Sequence, residues 1–247
     1  MSEEILINST PSETRVALVE SGMLQEVWLE RVSHSGYIGN IYQGEVSRVL
    51  PGLQAAFVDI GLERTAFLHA RDMVRHDPAA NGDEKPEEPA ISSLLRPGDH
   101  VIVQVIKDPL GTKGARLTTN ISIPSRFLVL LPDSDDIGIS ARIDDEKERA
   151  RLKELVRVLR DDQAGRGYIV RTNAEGVNDF ALSADMVYLG KVWQTISQSV
   201  ASAQPGTCIF EDLSLPLRAM RDMMHEKVDR VRIDSPEVLE KAREFAR

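Results

Sequence analysis

The stretch 39–70, GNIYQGEVSRVLPGLQAAFVDIGLERTAFLHA, decides the fold. It contains three short runs of β-branched and apolar residues, IYQGEVSRVL, LQAAFVDIG and RTAFLHA, which are bounded by Gly, Pro and charged residues. Two further runs, HVIVQVIKD and ARLTTNI, follow in the next part of the chain. Five short strands in about 85 residues predict a small closed β-barrel, with OB-type folds as the leading candidate.

The composition is that of an ordinary globular protein. The 247 residues predict one or two domains, and 42% hydrophobic with 28% charged residues allow a real core. The chain lacks an apolar run of about 18 residues, and its start, MSEEILINST, lacks a signal-peptide pattern, so we expect a cytoplasmic protein. The single cysteine, Cys208, excludes an internal disulfide framework and a Cys-rich zinc site.

The net charge of −9 argues against nucleic acid at first sight, because phosphate binding uses Lys and Arg. Net charge, however, reports solubility and long-range steering rather than a local site. Much of the acid lies in the segment 76–90, HDPAANGDEKPEEPA, whose three prolines predict a loop after the third barrel strand. The acidic balance therefore lowers the expectation of nucleic-acid binding without excluding it.

The segments on either side of the barrel predict mixed α and β structure. A Ser21-Gly22 turn separates two predicted strands, TRVALVE and MLQEVWLE. Further strands are predicted at FLVLL, GYIVRT and VDRVRID, and helices after residues 144–146, through Met186, around LRAMRDMM and from Pro236. The last helix has an apolar face, which either packs on the N-terminal strands or indicates a longer protein.

Aromatic and basic residues of the barrel segment are candidates for RNA contacts. Phe57 and Phe67 could stack on bases, as OB-type barrels do with single strands, but a strand phenylalanine belongs to the core more often. Lys113 lies between Gly111 and Gly114 and could reach a phosphate, although such pairs are common in turns and the P-loop spacing is absent. Further candidates in this segment are Tyr42, Lys107 and Arg116.

A second candidate site lies at Arg171 and Thr172, which end a predicted strand. A guanidinium, a hydroxyl and backbone N–H groups can together cradle a phosphate, while the alternative is that Arg171 pairs with a surface acid. Catalytic residues cannot be nominated. The sequence has no nucleophile elbow, HExxH motif or Cys/His cluster, and its pattern gives no converging carboxylates for metal-assisted phosphoryl transfer.

Several longer strings resemble the RNase E/G family of bacterial ribonucleases, most of all its RNase G branch. They are ILINSTPSETRVALVESGMLQEV, the stretch 39–70, VIKDPLGTKGARLTT and IVRTNAEGV, and the similarity runs from residue 4 to residue 245. The resemblance implies an α+β fold in which an RNase H-like subdomain is split around an S1-type OB β-barrel and a mixed α/β 5′-sensor region. The implied ranges are 1–35 and 206–247 for the split subdomain, 36–120 for the S1-type domain and 121–205 for the sensor.

The resemblance also assigns roles to individual residues. Phe57 and Phe67 match the base-contacting aromatics of the family, and Lys113 matches its RNA-contacting lysine. Arg171 and Thr172 match the pair that receives the 5′-monophosphate of the RNA. Because these positions coincide with the candidates from residue chemistry, the resemblance favours a binding role over core packing or surface pairing.

Three further positions are informative in the same comparison. Val129 matches the residue whose backbone helps to hold the 5′-monophosphate. Gln43 stands where many relatives have Lys, and Ala141 stands where some have an additional arginine, which leaves Arg142. Both changes remove a positive charge, so we expect weaker attraction for phosphate.

The implied activity is that of an Mg²⁺-dependent endoribonuclease that acts on single-stranded, A/U-rich RNA in rRNA processing and mRNA decay. The family's Mg²⁺-binding aspartates belong to a DNase I-like subdomain beyond residue 247, and its zinc-linking cysteines come later still. We therefore expect this chain to bind RNA without holding a metal and without cleaving, and the full-length protein to be a homo-oligomer. A stand-alone RNA-binding module and a structural remnant without an RNA site remain as alternatives.

Overall fold

The computed structural model describes residues 2–31, 36–73, 89–160, 166–225 and 227–246. Most of the acidic segment 76–90, for which a loop is predicted, lies outside the described residues. The chain divides into two compact units, one formed by Met1–Gly36 with Leu213–Arg247 and the other by Tyr37–Asp212. No helix within the described ranges is both long enough and apolar enough to cross a membrane.

The described residues form strands and helices in the following order. The strands are β1 (Glu3–Ser9), β2 (Glu13–Glu20), β3 (Met23–Arg31), β4 (Ile41–Leu50), β5 (Ala55–Asp59), β6 (Ala66–His69), β7 (His100–Lys107), β8 (Arg116–Thr118), β9 (Ile123–Pro124), β10 (Leu128–Leu131), β11 (Ile137–Ile139), β12 (Gly167–Val170), β13 (Thr207–Phe210) and β14 (Val228–Ile233). The helices are α1 (Ile91–Leu94), α2 (Glu146–Leu159), α3 (Asp179–Val200), α4 (Leu215–Met223) and α5 (Pro236–Phe245).

The first unit is a sheet in the order β14-β1-β2-β3, in which β14 runs parallel to β1 and the other pairs are antiparallel. Ser21 and Gly22 both have positive φ, 49° and 79°, which suits a two-residue hairpin turn. Ile5 and Val16 are fully buried and pack with Leu215 of α4. The two strands predicted on either side of the Ser21-Gly22 turn are thus confirmed, and the apolar face of α5 contributes a side chain to the same core at Val238.

The barrel in the second unit has the strand order β4-β5-β6-β8-β7 and is closed by pairing of β7 with β4. Its five strands are the five that the sequence predicts, and β6 and β8 form the one parallel pair of the barrel. The alternate residues that point inward are aliphatic and fully buried, as at Ala56, Val58, Leu68 and Leu117. The structure therefore confirms the predicted barrel. It adds β13, which pairs with the outer edge of β4.

The remainder of the second unit is a small sheet in the order β11-β12-β10-β9 with α2 and α3 packed against its core face. Asp145 caps α2, since its carboxylate accepts a hydrogen bond from the Lys147 N–H at 2.9 Å. The helix ends at Leu159, and Gly167 begins β12.

Candidate nucleic-acid interface

Phe57 and Phe67 lie on the outer face of the barrel rather than in its core. Their neighbours along β5 and β6 are fully buried and point inward, so alternation along each strand turns the two rings outward. The residues are directly paired, and their ring centroids are 6.1 Å apart with an interplanar angle of 70°. His69 follows on the same face, with its ring 6.4 Å from that of Phe67. The i, i+2 spacing of Phe67 and His69 within a predicted strand is the signal in the sequence that places His69 on the same face as Phe67.

Basic residues on the neighbouring strands pair directly with the two phenylalanines or with each other. Arg48 on β4 lies opposite Phe57, Arg116 on β8 lies opposite Phe67, and Lys107 on β7 lies opposite Arg116. We call these five residues, from Arg48 through the two phenylalanines to Lys107, the cross-strand row. Neighbouring strands are about 4.8 Å apart, so the row covers about 19 Å along the sheet. It offers flat apolar surfaces between positive charges, which is the combination that single-stranded nucleic acid requires.

Asp72 fixes the orientation of Arg116 within the row. The guanidinium donates to both carboxylate oxygens, at 2.9 Å from Nε and 3.1 Å from Nη2. This bidentate pair holds the pKa of Arg116 above its ordinary value, first through the hydrogen bonds and then through the charge of Asp72. The plane of the guanidinium beside Phe67 is therefore set by the protein.

Lys113 lies in the exposed turn between β7 and β8 and is outside the cross-strand row. Leu110 and Lys113 exchange backbone hydrogen bonds of 3.1 and 3.0 Å, which close the turn. Gly114 then approaches the β5–β6 connection so closely that a Cβ at this position would lie 1.9 Å from the Thr65 carbonyl oxygen. The next carbonyl, of Ala115, accepts from the Phe67 N–H at 2.7 Å, so the turn carrying Lys113 is anchored to the strand of the aromatic pair.

Arg171 lies at one end of the small sheet β11-β12-β10-β9. At this end the carboxyl ends of β11 and β12 meet the start of β10. Its N–H donates to the Phe127 carbonyl at 2.8 Å, and its guanidinium donates to the carbonyl of Ser125. The neighbouring strand end is also tied in, because the Ser140 N–H donates to the Val170 carbonyl at 2.8 Å. The start of β10 and the ends of β11 and β12 thus form one cradle around Arg171.

Thr172 and Val129 lie at the same end of the small sheet as Arg171. Thr172 is half-buried and begins a single 3-10 turn, Thr172–Ala174. Val129 pairs with Ile169 one position along the ladder from Leu128 and Val170. Both valine and isoleucine lie between buried neighbours, so they face away from the helices that cover the sheet. The structure therefore brings Arg171, Thr172 and the backbone of Val129 to the same end of the sheet.

Positions 43 and 141 have different surroundings. Gln43 is 8% exposed, pairs with Thr207 of β13, and accepts from the Gly206 N–H through its backbone carbonyl at 2.7 Å. The Gln43 side chain is therefore covered, and the expected effect of this position on phosphate attraction stays a prediction. Ala141, in contrast, is exposed beside Arg142 in the turn after β11.

A metal site is not evident in the described part of the chain. Within these ranges, no group of three or more His, Cys, Asp or Glu side chains is arranged to hold an ion. The Mg²⁺ that the resemblance implies therefore finds no fitting ligand set among these residues.

Two known families match the chain in adjoining ranges. Residues 37–119 match the S1 RNA binding domain, and this range contains all five barrel strands. Residues 122–247 match the Ribonuclease E/G family. The first match covers the cross-strand row and Lys113, and the second covers the cradle around Arg171.

Curated relatives agree with these matches. Ribonuclease G of Escherichia coli (strain K12) is 48% identical over 247 residues, which cover 99% of this chain and 50% of that protein. Ribonuclease G of Haemophilus influenzae is 46% identical over 98% of this chain and 49% of its own length. Ribonuclease E of Escherichia coli (strain K12) is 38% identical over 98% of this chain and 23% of its own. The chain spans about half the length of the ribonuclease G relatives, and it belongs to the Ribonuclease E/G family.

Proposed function

We propose that this chain is the RNA-binding and 5′-monophosphate-sensing part of an endoribonuclease of the RNase E/G type. The whole protein would process and degrade single-stranded RNA, including ribosomal and messenger RNA, in the cytoplasm. The observation that carries the binding role is the cross-strand row, in which two outward aromatic rings lie between basic side chains. Stacking contributes about 1–3 kcal/mol per base, and the flanking cations supply the phosphate contacts.

The RNA path has two parts in this proposal. Phe57 and Phe67 hold bases, and Lys113 contacts the backbone beside them from its exposed turn. Arg171 and Thr172, with the backbone of Val129, receive the terminal 5′-monophosphate. A terminal 5′-monophosphate carries negative charge that a 5′-hydroxyl end lacks. A fixed guanidinium therefore discriminates between the two ends.

The domain organisation follows the family pattern as a proposal. Residues 36–120 would form the S1-type domain and 121–205 the 5′ sensor. Residues 1–35 and 206–247 would form a split RNase H-like subdomain, although β13 within the latter range pairs with β4. Mg²⁺-dependent cleavage would require a DNase I-like region after residue 247, and the full-length protein would be a homo-oligomer.

The sensing role is tested by binding two RNAs that differ only at the 5′ end. Fluorescence anisotropy would compare a short A/U-rich single strand with a 5′-monophosphate and the same strand with a 5′-hydroxyl. The unmodified chain should prefer the monophosphate, and Arg171→Ala should remove this preference, a change of about tenfold or more for the loss of a charge-assisted contact. A variant that keeps the preference of the unmodified chain would contradict the assignment of Arg171. Undiminished binding of the 5′-hydroxyl RNA by the variant would still support the barrel site.

The division between binding and cleavage is tested separately. The purified chain would be incubated with the monophosphorylated RNA and Mg²⁺, with an EDTA control. We expect no Mg²⁺-dependent cleavage. Cleavage that co-purifies with the chain would place an active site within these residues. Binding without 5′-end preference would favour a general RNA-binding module, and no RNA binding would favour a structural role.

A further inference from the structure

A partly buried carboxylate lies directly beneath the cradle of Arg171. Asp185 extends from α3 toward the segment Ser125–Leu128 at the start of β10. One of its oxygens, Oδ2, accepts the N–H groups of Phe127 and Leu128, each at 3.0 Å, and the hydroxyl of Ser125. Converging backbone N–H groups of this kind form the concavity in which proteins hold anions. In this protein, the concavity is filled by an internal carboxylate.

The same short segment holds Arg171 from its other side. The Phe127 carbonyl accepts the Arg171 N–H at 2.8 Å, and the Ser125 carbonyl accepts from the guanidinium. The hydroxyl of Ser125 and the N–H of Phe127 thus donate to Asp185, while the carbonyls of the same two residues accept from Arg171. Any rotation of these peptide groups would change both sets of contacts together.

The environment of Asp185 makes this contact costly to lose. Desolvation raises the pKa of its carboxyl, and the hydrogen bonds from Ser125, Phe127 and Leu128 act in the opposite direction. Ser125 itself is 1% exposed, and its hydroxyl also lies 2.9 Å from the Leu128 carbonyl, which can accept from it. Removing the carboxylate would therefore leave chiefly the N–H groups of Phe127 and Leu128 without their acceptor, and the segment would rearrange.

We propose that Asp185 is the positioning residue of the 5′-phosphate site. By filling the N–H concavity of Ser125–Leu128, it fixes the carbonyls that orient Arg171. It also closes this concavity to other anions, so that the terminal phosphate is received by Arg171, Thr172 and the backbone of Val129 rather than by the N–H groups of Phe127 and Leu128. This inference rests on the proposed sensing function, but it adds a residue that never touches the RNA.

The first arm of the test measures discrimination between 5′ ends. Asp185→Asn keeps the shape of the side chain but loses the charge and one acceptor oxygen, and Ser125→Ala removes a single donor. Both should lower the ratio of affinities for 5′-monophosphate and 5′-hydroxyl RNA, by about tenfold for Asp185→Asn, while affinity for 5′-hydroxyl RNA stays unchanged. Asp179→Asn, at the exposed start of the same helix, is the matched control and should keep the ratio.

Chemical rescue separates positioning from a general loss of folding. Asp185→Ala leaves space for a small carboxylate, so added formate should restore part of the discrimination in this variant and have no such effect in Asp179→Ala. Melting temperatures would identify variants that fail to fold, and binding would be measured well below them. A folded Asp185→Asn with an unchanged ratio would overturn the proposal.

The second arm needs no RNA and therefore distinguishes failure of this inference from failure of the sensing function. The Arg171 Nε–H resonance, assigned by its loss in Arg171→Ala, reports the order of the guanidinium in the free protein. Asp185→Asn should shift this resonance and speed its exchange with water. An unchanged resonance would contradict the positioning role even if the chain discriminates between RNA ends. A chain without any 5′-end preference but with a shifted resonance would contradict the sensing function alone.

Discussion

Phe57 and Phe67 face each other across neighbouring antiparallel strands, with ring centroids 6.1 Å apart and planes inclined by 70°. This edge-to-face arrangement stabilises the pair without stacking one ring on the other. Since both rings lie on the outer face of the barrel, they present adjacent aromatic surfaces of different orientation. A single strand that follows the cross-strand row would meet these surfaces in succession.

Phe57→Ala should weaken binding of single-stranded RNA irrespective of its 5′ end. The loss of one stacking platform corresponds to about 1–3 kcal/mol. Anisotropy titrations with 5′-monophosphate and 5′-hydroxyl RNA would measure the effect, which should be equal for both. Phe180→Ala is the control, because Phe180 is 80% exposed on α3 and lies outside the barrel. Unchanged affinity for both RNAs would mean that Phe57 does not contact bases.

Arg48→Ala should reduce the salt dependence of RNA binding. Each phosphate contact to a single strand contributes about −0.7 to the slope of log affinity against log salt, so losing one contact should make the slope shallower by about that amount. Arg48 lies at one end of the cross-strand row, directly opposite Phe57. Lys153→Ala, an exposed position on α2, should leave the slope unchanged. Equal slopes for Arg48→Ala and the unmodified chain would remove Arg48 from the RNA path.

The barrel could be predicted from sequence because its determinants are local. In β5 and β6 small or apolar residues alternate with larger ones, and Gly, Pro or charged residues mark the ends of each strand. The same pattern left the location of Phe57 open, since alternation shows that two sets of residues face opposite ways without showing which way is inward. Burial of Ala56 and Val58 resolves this point.

Other features depend on contacts between distant parts of the chain and had no local signal. The four residues of β13, TCIF, form a strand because they pair with the edge of β4, far away in sequence. Asp185 is similar: in the sequence it is a polar residue within a helix, and its role arises from Ser125, Phe127 and Leu128, which approach it only in the folded sheet. Bulges in β4 and β7 likewise set the register of the cross-strand row.

Gly114→Ala should destabilise the protein. The new Cβ would lie 1.9 Å from the Thr65 carbonyl oxygen, which is backbone and cannot rotate away. Overpacking of this kind costs about 1–3 kcal/mol. Urea unfolding would measure the change, with Gly52→Ala as the control because a Cβ there meets nothing within 4 Å. Equal unfolding free energies for the two variants would show that the turn before β8 relaxes without cost.

Glu148→Gln should lower stability at neutral pH and have little effect in strong acid. The Arg151 guanidinium and the Gly176 N–H hold the pKa of Glu148 at about 2, below its ordinary 4.5. A carboxylate whose pKa is lowered by folding stabilises the folded state above the ordinary value, and this contribution is lost as the pH falls toward about 2. The shift alone corresponds to at most about 3 kcal/mol, but Arg151 is 41% exposed, so solvent screening reduces the expected loss to about 1 kcal/mol.

Denaturant unfolding across this pH range would measure the loss of stability in Glu148→Gln. Glu154→Gln, in the more exposed pair with Arg157, is the comparison. A difference between Glu148→Gln and the unmodified chain that stayed constant from neutral pH to strong acid would show that the lost stability comes from packing rather than from the ionised carboxylate.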